Sequence, residues 1–255
     1  MKPLTEFYSG LHSTQANYSA GTYDIPALLA SAPWRHWVGG KTSGKLAMLD
    51  VGCGKGLFLR DVVRGLEERW NIVPSRVTGV DLVHSPGNLF AEISPAFEFI
   101  QHDTDGNPLP FPDATFDFLS CNHVLEHVFE TEKLVQEFRR VLKPDGFCVI
   151  SVPNLAAWMN RVALLFAGQP LGTEVGTQSI TYGFWPRHFQ AHLAQFAPSG
   201  HIRDFTPRSL RDLTKACGFK TRGWWKQSYG FAATLSKWGG RNIAILLESA
   251  SEFRS

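Results

Sequence analysis

Hydrophobic positions along the chain fall into two recurring patterns. Short, continuous apolar runs bounded by Gly, Pro or acidic residues alternate with longer stretches in which apolar side chains recur at helical period. Met48 to Val51 reads as a buried strand end, and Leu57 to Trp70 as the helix that follows it. Arg76 to Leu82 is a β-branched strand ending in an acid, and Phe97 to His102 and Phe116 to Cys121 are two more strands. Thr131 to Leu142 predicts a helix with Glu132, Glu137, Arg139 and Arg140 on its polar face. Lys143-Pro144-Asp145-Gly146 reads as a helix stop and turn, and Phe147 to Val152 as a strand at the buried centre of a parallel sheet. Upstream, Ile25 to Val38 predicts a helix. Downstream, Leu155 to Ala167 predicts an apolar helix and Pro207 to Cys217 another, with Thr206 as N-cap, Pro207 in the first turn and Gly218 as C-cap. Thr221 to Tyr229 and Asn242 to Glu248 complete the strands. Such alternation predicts an α/β fold with a doubly wound sheet, in which ligands sit at the carboxyl ends of the strands.

The first such end carries Asp50-Val51-Gly52-Cys53-Gly54-Lys55-Gly56. Glycines there let the backbone turn sharply and let a ligand approach the main chain. Their spacing narrows the ligand. A dinucleotide loop, G-x-G-x-x-G, wants glycine where Leu57 stands, since the third glycine comes one residue early. A P-loop wants Ser or Thr after Lys55, where Gly56 stands. Asp50 repels a pyrophosphate and suits a cation such as an ammonium or a sulfonium. One βα unit on, Asp81 ends the second strand, where a carboxylate can accept both hydroxyls of a ribose.

Charge and composition exclude more than they assign. A net charge of +2 and the absence of a basic stripe interleaved with aromatics argue against a nucleic-acid partner. Cys53, Cys121, Cys148 and Cys217 are widely spaced and predict buried, reduced thiols rather than bridges or metal ligands. Neither the first ten residues nor Leu155 to Ala167 suits a signal peptide or a spanning helix. The expectation is a cytoplasmic protein without stable membrane association.

D-x-G-C-G-x-G closing a first strand resembles motif I of the class I S-adenosylmethionine-dependent methyltransferases. Leu109-Pro110-Phe111-Pro112-Asp113, then Phe116-Asp117, then Val124-Leu125-Glu126-His127-Val128 resemble the small-molecule, ubiquinone-type (methyltransferase type 11) branch, as does Gly200-His201-x-Arg203-x-Phe205-Thr206-Pro207. The resemblance covers residues 46–154 and, more thinly, 200–248. It implies a mostly parallel, seven-stranded Rossmann-like sheet with helices on both faces, the last strand pair antiparallel, and an inserted lid. Residues 1–45 are then an N-terminal arm or cap, 46–154 the cofactor-binding core, 155–200 a lid that builds the acceptor pocket, and 201–255 the completion of the sheet. S-adenosylmethionine is the implied methyl donor. Asp50, Gly52, Cys53, Gly54 and Gly56 would cradle it, Asp81 and Leu82 would hold its ribose, His102, Asp103 and Thr104 its adenine end, and Asn122 would stand at the fourth strand end.

The implied reaction is an in-line methyl transfer to an oxygen, nitrogen or carbon nucleophile of a small-molecule acceptor. The other readings are a catalytically idle cofactor-binding subunit and, against the glycine spacing, a dehydrogenase; a homodimer is left open. Histidine suits a general base at neutral pH. His127 is the first candidate and His201 the second, with His123, His188 and His192 behind them; the competing role for each is to fix a loop through a backbone hydrogen bond. His123 and His127 are four apart and would share a helix face as two metal ligands might, but no third ligand follows, and no metal is expected. Tyr8, His12, Tyr18 and Tyr23 of the arm either reach a ligand or pack on the core. The aromatic stretch Tyr182, Phe184, Trp185 and Phe189 suggests a planar or partly apolar acceptor.

Overall fold

The computed structural model describes residues 24–85, 88–184, 198–226 and 240–249. Five parallel strands are β1 (Ala47–Val51), β2 (Arg76–Asp81), β3 (Phe97–Gln101), β4 (Phe116–Asn122) and β5 (Leu142–Pro153). Two more, β6 (Phe219–Lys226) and β7 (Asn242–Ser249), complete a seven-stranded sheet of order β3-β2-β1-β4-β5-β7-β6. β7 runs antiparallel to both of its neighbours. The order reverses between β1 and β4, and a doubly wound sheet offers its crevice at that point.

β1 shows why the sheet is covered on both faces. Ala47, Leu49 and Val51 belong to one core with Leu134, Phe138 and Leu210, while Met48 belongs to the other with Trp34, Leu59 and Val62. Every residue of β1 is buried, Asp50 included, so period-two alternation leaves neither face for water. The first core is closed by α4 (Thr131–Val141) and α6 (Pro207–Ala216), and the second by α1 (Ile25–Ala30), α2 (Ala32–Val38) and α3 (Leu57–Trp70). Thr206 caps α6 in a reciprocal box with Ser209.

Three elements differ from the sequence expectation. The helix expected over Ile25 to Val38 is broken at Ser31, which is extended (ψ 144°) and accepts from the Trp34 backbone N–H through its hydroxyl. Pro33 cannot donate the helical hydrogen bond that continuity would require. The break turns Trp34 and Trp37 inward against Phe118 and Phe147, so the described end of the arm packs on the core. The Lys143 to Gly146 turn lies inside β5 as an irregularity, where the register with β4 shifts between Phe116 and Phe118 and Asp145 has φ 60°. The helix expected over Leu155 to Ala167 is α5 (Trp158–Leu165). Its start is delayed because the Asn154 side chain accepts from the Ala156 N–H, and it ends where Ala167 turns left-handed at φ 54°. All four cysteines are buried free thiols.

Candidate active site

A cavity of about 520 Å³ opens at the carboxyl ends of β1 and β4, within the usual range for small-molecule sites. Of the residues singled out in the sequence, Asp50, Gly52, Cys53, Gly54, Asp81, Leu82, Asp103, Thr104, Asn122, His123, His127 and His201 line it. Gly56 and His102 do not. Gly56 takes φ 82° at the start of α3 beneath Phe90 and Ile93, so its freedom serves the turn. His102 donates its backbone N–H to the carbonyl of Asp81 and holds β3 beside that acid.

The glycine loop is held tightly. The Gly52 and Cys53 N–H groups both donate to the carbonyl of Val80, and the Gly54 N–H donates to Asp81 Oδ2 at 2.8 Å. Gly52 has φ 73°, and a Cβ there would lie 2.1 Å from Val124 Cγ2. Only glycine fits this angle and this space together.

Asp50 lies beneath the loop, fully buried, and accepts from the Ser120 hydroxyl at 2.7 Å. Burial pushes its carboxyl up to about 7, a rise that Ser120 opposes and the nearby Asp81 charge reinforces. Burial likewise pushes the Cys53 thiol well up, so it is no thiolate nucleophile. At the end of β4, Asn122 Oδ1 accepts from Ser151, while its Nδ2 is buried without a partner among the described residues.

The opposite wall is built from Glu126, His127 and His201. No α-helix joins His123 to His127: His123 is left-handed at φ 56°, and Leu125–His127 is a single 3₁₀ turn. The expected shared helix face is therefore absent. His123 instead donates from Nδ1 to Glu126 Oε1 at 3.2 Å. Burial would raise the Glu126 carboxyl, but the His123 hydrogen bond and the charges of His123 and His127 bring it net below the usual carboxylate range. His127 and His201 each meet a backbone carbonyl through Nδ1, of Gly200 at 3.2 Å and of Gly172 at 2.7 Å. A carbonyl only accepts, so both Nδ1 atoms carry a proton, and loss of the other proton from either ring leaves the lone pair on Nε2. Burial lowers the His127 imidazole below its ordinary value despite Glu126 beside it, with His201 lowering it further. Its neutral form is thereby favoured.

Residues of the 155–200 stretch reach the same cavity through Ala157, Met159, Asn160, Leu171 and Gly172. Asn160 is buried; its amide donates to the carbonyls of Asn154 and Leu171 and accepts from the Leu171 N–H, pinning this stretch to the end of β5. Of the aromatics expected to line an acceptor pocket, Phe184 is buried off the cavity wall and Tyr182 is exposed. Trp185, His188, Phe189 and His192 lie outside the described residues, as do Tyr8, His12, Tyr18 and Tyr23. Sequence reasoning passed over Glu126, although it stands within the Leu-Glu-His-Val segment, and Arg241 and Asn242, which carry no local motif.

The family model described as "Methyltransferase domain" matches residues 29–222. The demethylmenaquinone methyltransferase of Tropheryma whipplei (strain Twist) is 26% identical over 237 residues, covering 85% of this chain and 87% of its own. The mitochondrial ubiquinone biosynthesis O-methyltransferase of Schizosaccharomyces pombe is 29% identical over 139 residues, covering 54% of this chain and 49% of its own. Among solved structures, a SAM dependent methyltransferase from Aquifex aeolicus has a TM-score of 0.56 at 14% identity, over 95% of this chain and 98% of that one. That likeness is one of fold. Among the described residues no helix is long and apolar enough to cross a membrane.

Proposed function

Because the chain belongs to the methyltransferase-domain family and is an S-adenosylmethionine-dependent methyltransferase, we propose that it methylates a small-molecule acceptor held between the glycine loop and the His127–His201 wall. The observation that carries this reading is the division of one cavity into two chemistries. Its loop side presents Asp50, Asp81, Asp103 and the Asn122 Nδ2, which has no partner among the described residues; its far side presents the His127 and His201 imidazoles with the Glu126 carboxylate, beside apolar residues.

The loop side fits the donor. A carboxylate at Asp81 suits a ribose diol, an acid at Asp103 suits an adenine amino group, and the acidic floor suits a cation. The Asn122 Nδ2 is a buried donor awaiting an acceptor, which a ligand carboxylate supplies. The bound donor contributes an electrophilic methyl carbon whose bond to sulfur breaks as the acceptor attacks. Charge is neutralised in that step, so alignment and exclusion of water carry most of the rate. The core of residues 46–154 holds the donor, Ala157 to Gly172 flank the acceptor, and β6 and β7 complete the sheet while His201, Arg241 and Asn242 reach the cavity. His127, neutral and with Nδ1 tied to Gly200, takes the proton of an acidic acceptor at Nε2; His201 stands beside it, with ring centroids 4.9 Å apart. A base of this kind adds about 10²–10⁴-fold. Leu57, Phe58, Val124 and Met159 favour a planar, partly apolar acceptor, in keeping with relatives named for demethylmenaquinone and ubiquinone biosynthesis.

Thermal melting tests the donor half. S-adenosylhomocysteine should raise the melting temperature of the wild type and not that of Asp81→Ala; no rise for the wild type at millimolar ligand sinks the reading. Transfer of labelled methyl groups into a metabolite extract tests the acceptor half and separates an enzyme from an idle cofactor-binding subunit.

A further inference from the structure

Glu126, His127 and His201 offer one ligand atom each, all within 4.8 Å of one another. Seventy-odd residues separate the two histidines, yet the pairing is built in. The carbonyl of Glu126 accepts from the backbone N–H groups of Ile202 and Arg203 at 2.8 and 3.1 Å, clamping the His201 segment to the Glu126–His127 turn. Each imidazole is oriented by a carbonyl on Nδ1, the arrangement that fixes the tautomer of a metal-binding histidine and presents Nε2 as ligand. The carboxylate is oriented in the same way by His123 on Oε1. Its second oxygen, Oε2, is buried with no hydrogen-bond partner among the described residues, on a side chain only 1% exposed that lines the cavity. A buried carboxylate oxygen without a donor is costly unless a cation completes it.

We propose that Glu126, His127 and His201 bind a divalent transition-metal ion on the acceptor side of the cavity. Two imidazoles and a carboxylate suit zinc, iron(II), cobalt(II) or manganese(II) rather than calcium or magnesium. Ligand bonds of about 2.1 Å put ligand atoms about 3–4 Å apart, so the set closes by about an ångström on binding. Three protein ligands leave coordination positions open, and an acceptor hydroxyl fills one. Bound there, it loses its proton to solvent more readily, and the resulting oxyanion attacks the methyl carbon while the sulfur takes the electron pair of the broken bond. In the metal-bound protein the cation takes over the task given above to the His127 base. The acceptor class is then an oxygen nucleophile. This role rests on the methyl-transfer reading, but binding itself is measured without turnover.

The test is a titration of the purified chain with cobalt(II) alone, followed by its visible ligand-field bands and by calorimetry. One equivalent should bind with bands of a nitrogen- and oxygen-ligated ion, and zinc(II) should displace it. His201→Ala and Glu126→Gln should each weaken binding by more than about a hundredfold, beyond what loss of an orienting group costs. Both should still melt higher with S-adenosylhomocysteine, which reports on the loop side of the cavity. X-ray absorption of the zinc-loaded wild type should show two imidazole nitrogens and carboxylate oxygen, a readout that needs no variant. Absence of ligand-field bands, equal binding by wild type and His201→Ala, or an imidazole-free shell overturns the proposal. With S-adenosylhomocysteine still bound, any of these leaves the methyl-transfer reading standing; loss of that binding in the wild type overturns the methyl-transfer reading instead.

Discussion

Asp50 makes donor binding depend on pH. Its carboxyl ordinarily titrates near 3.8 and in the folded chain is pushed up to about 7, mainly by burial. About three units at about 1.36 kcal/mol each make about 4 kcal/mol. The folded state favours the protonated form, so this destabilisation is absent below pH 3.8, grows as pH rises, and levels off above about 7. Asp50→Asn, which keeps an acceptor for the Ser120 hydroxyl, should therefore stabilise the ligand-free protein at mildly alkaline pH by up to that amount, and much less under acid conditions. Donor binding should show the reverse sign. A cation over Asp50 favours its ionised form, so binding below the midpoint expels a proton, and affinity rises up to tenfold per pH unit until it levels. Calorimetry with S-adenosylmethionine, about one unit below and one unit above the midpoint and in two buffers of different ionisation enthalpy, reads both affinity and proton release. Asp50→Asn should bind more weakly, with no proton release. Equal affinity at both pH values, with no proton release from the wild type, refutes the reasoning.

Two further predictions concern the loop and the core. Gly52→Ala must pay about 1–2 kcal/mol for a left-handed backbone and in addition drive Val124 aside; S-adenosylhomocysteine binding should be lost by calorimetry, and Gly52→Ala/Val124→Ala should recover only part of it. Trp34, fully buried against Phe118 and Phe147, should cost about 3–5 kcal/mol as alanine in urea melts. As phenylalanine it should cost less than as alanine, because one ring still meets Phe118 and Phe147 and Nε1 has no partner among the described residues to lose.

The order of strands and helices is legible because each element writes its own period. Met48 to Val51 and Leu57 to Trp70 need no knowledge of their neighbours, and the glycine spacing after Asp50 depends on local backbone angles. Asp81 and Asp103 follow, since a doubly wound sheet places successive strand ends side by side. The far wall is another matter. Glu126 meets the His201 segment through backbone hydrogen bonds that any residues could make, so no side-chain pattern announces the contact. The same holds for Asn160, whose partners are carbonyls and an N–H rather than a matching side chain. The split at Ser31 was written locally, as Ser-Ala-Pro, but the apolar period of the two short helices runs through it.

The reversed direction of β7 has a consequence for biosynthesis. Because that strand runs against β5, it begins where the parallel strands end, and its first residue, Asn242, with Arg241 just before it, becomes part of the cavity wall. The Asn154 backbone N–H donates to the carbonyl of Arg241, and its side chain to that of Gly240. A nascent chain that has emitted β1 to β5 thus carries every acid of the loop side but an open flank. The chamber closes only when β7, made after β6, threads between β5 and β6, so premature termination before Asn242 yields a polypeptide that is both under-folded and unable to retain a ligand.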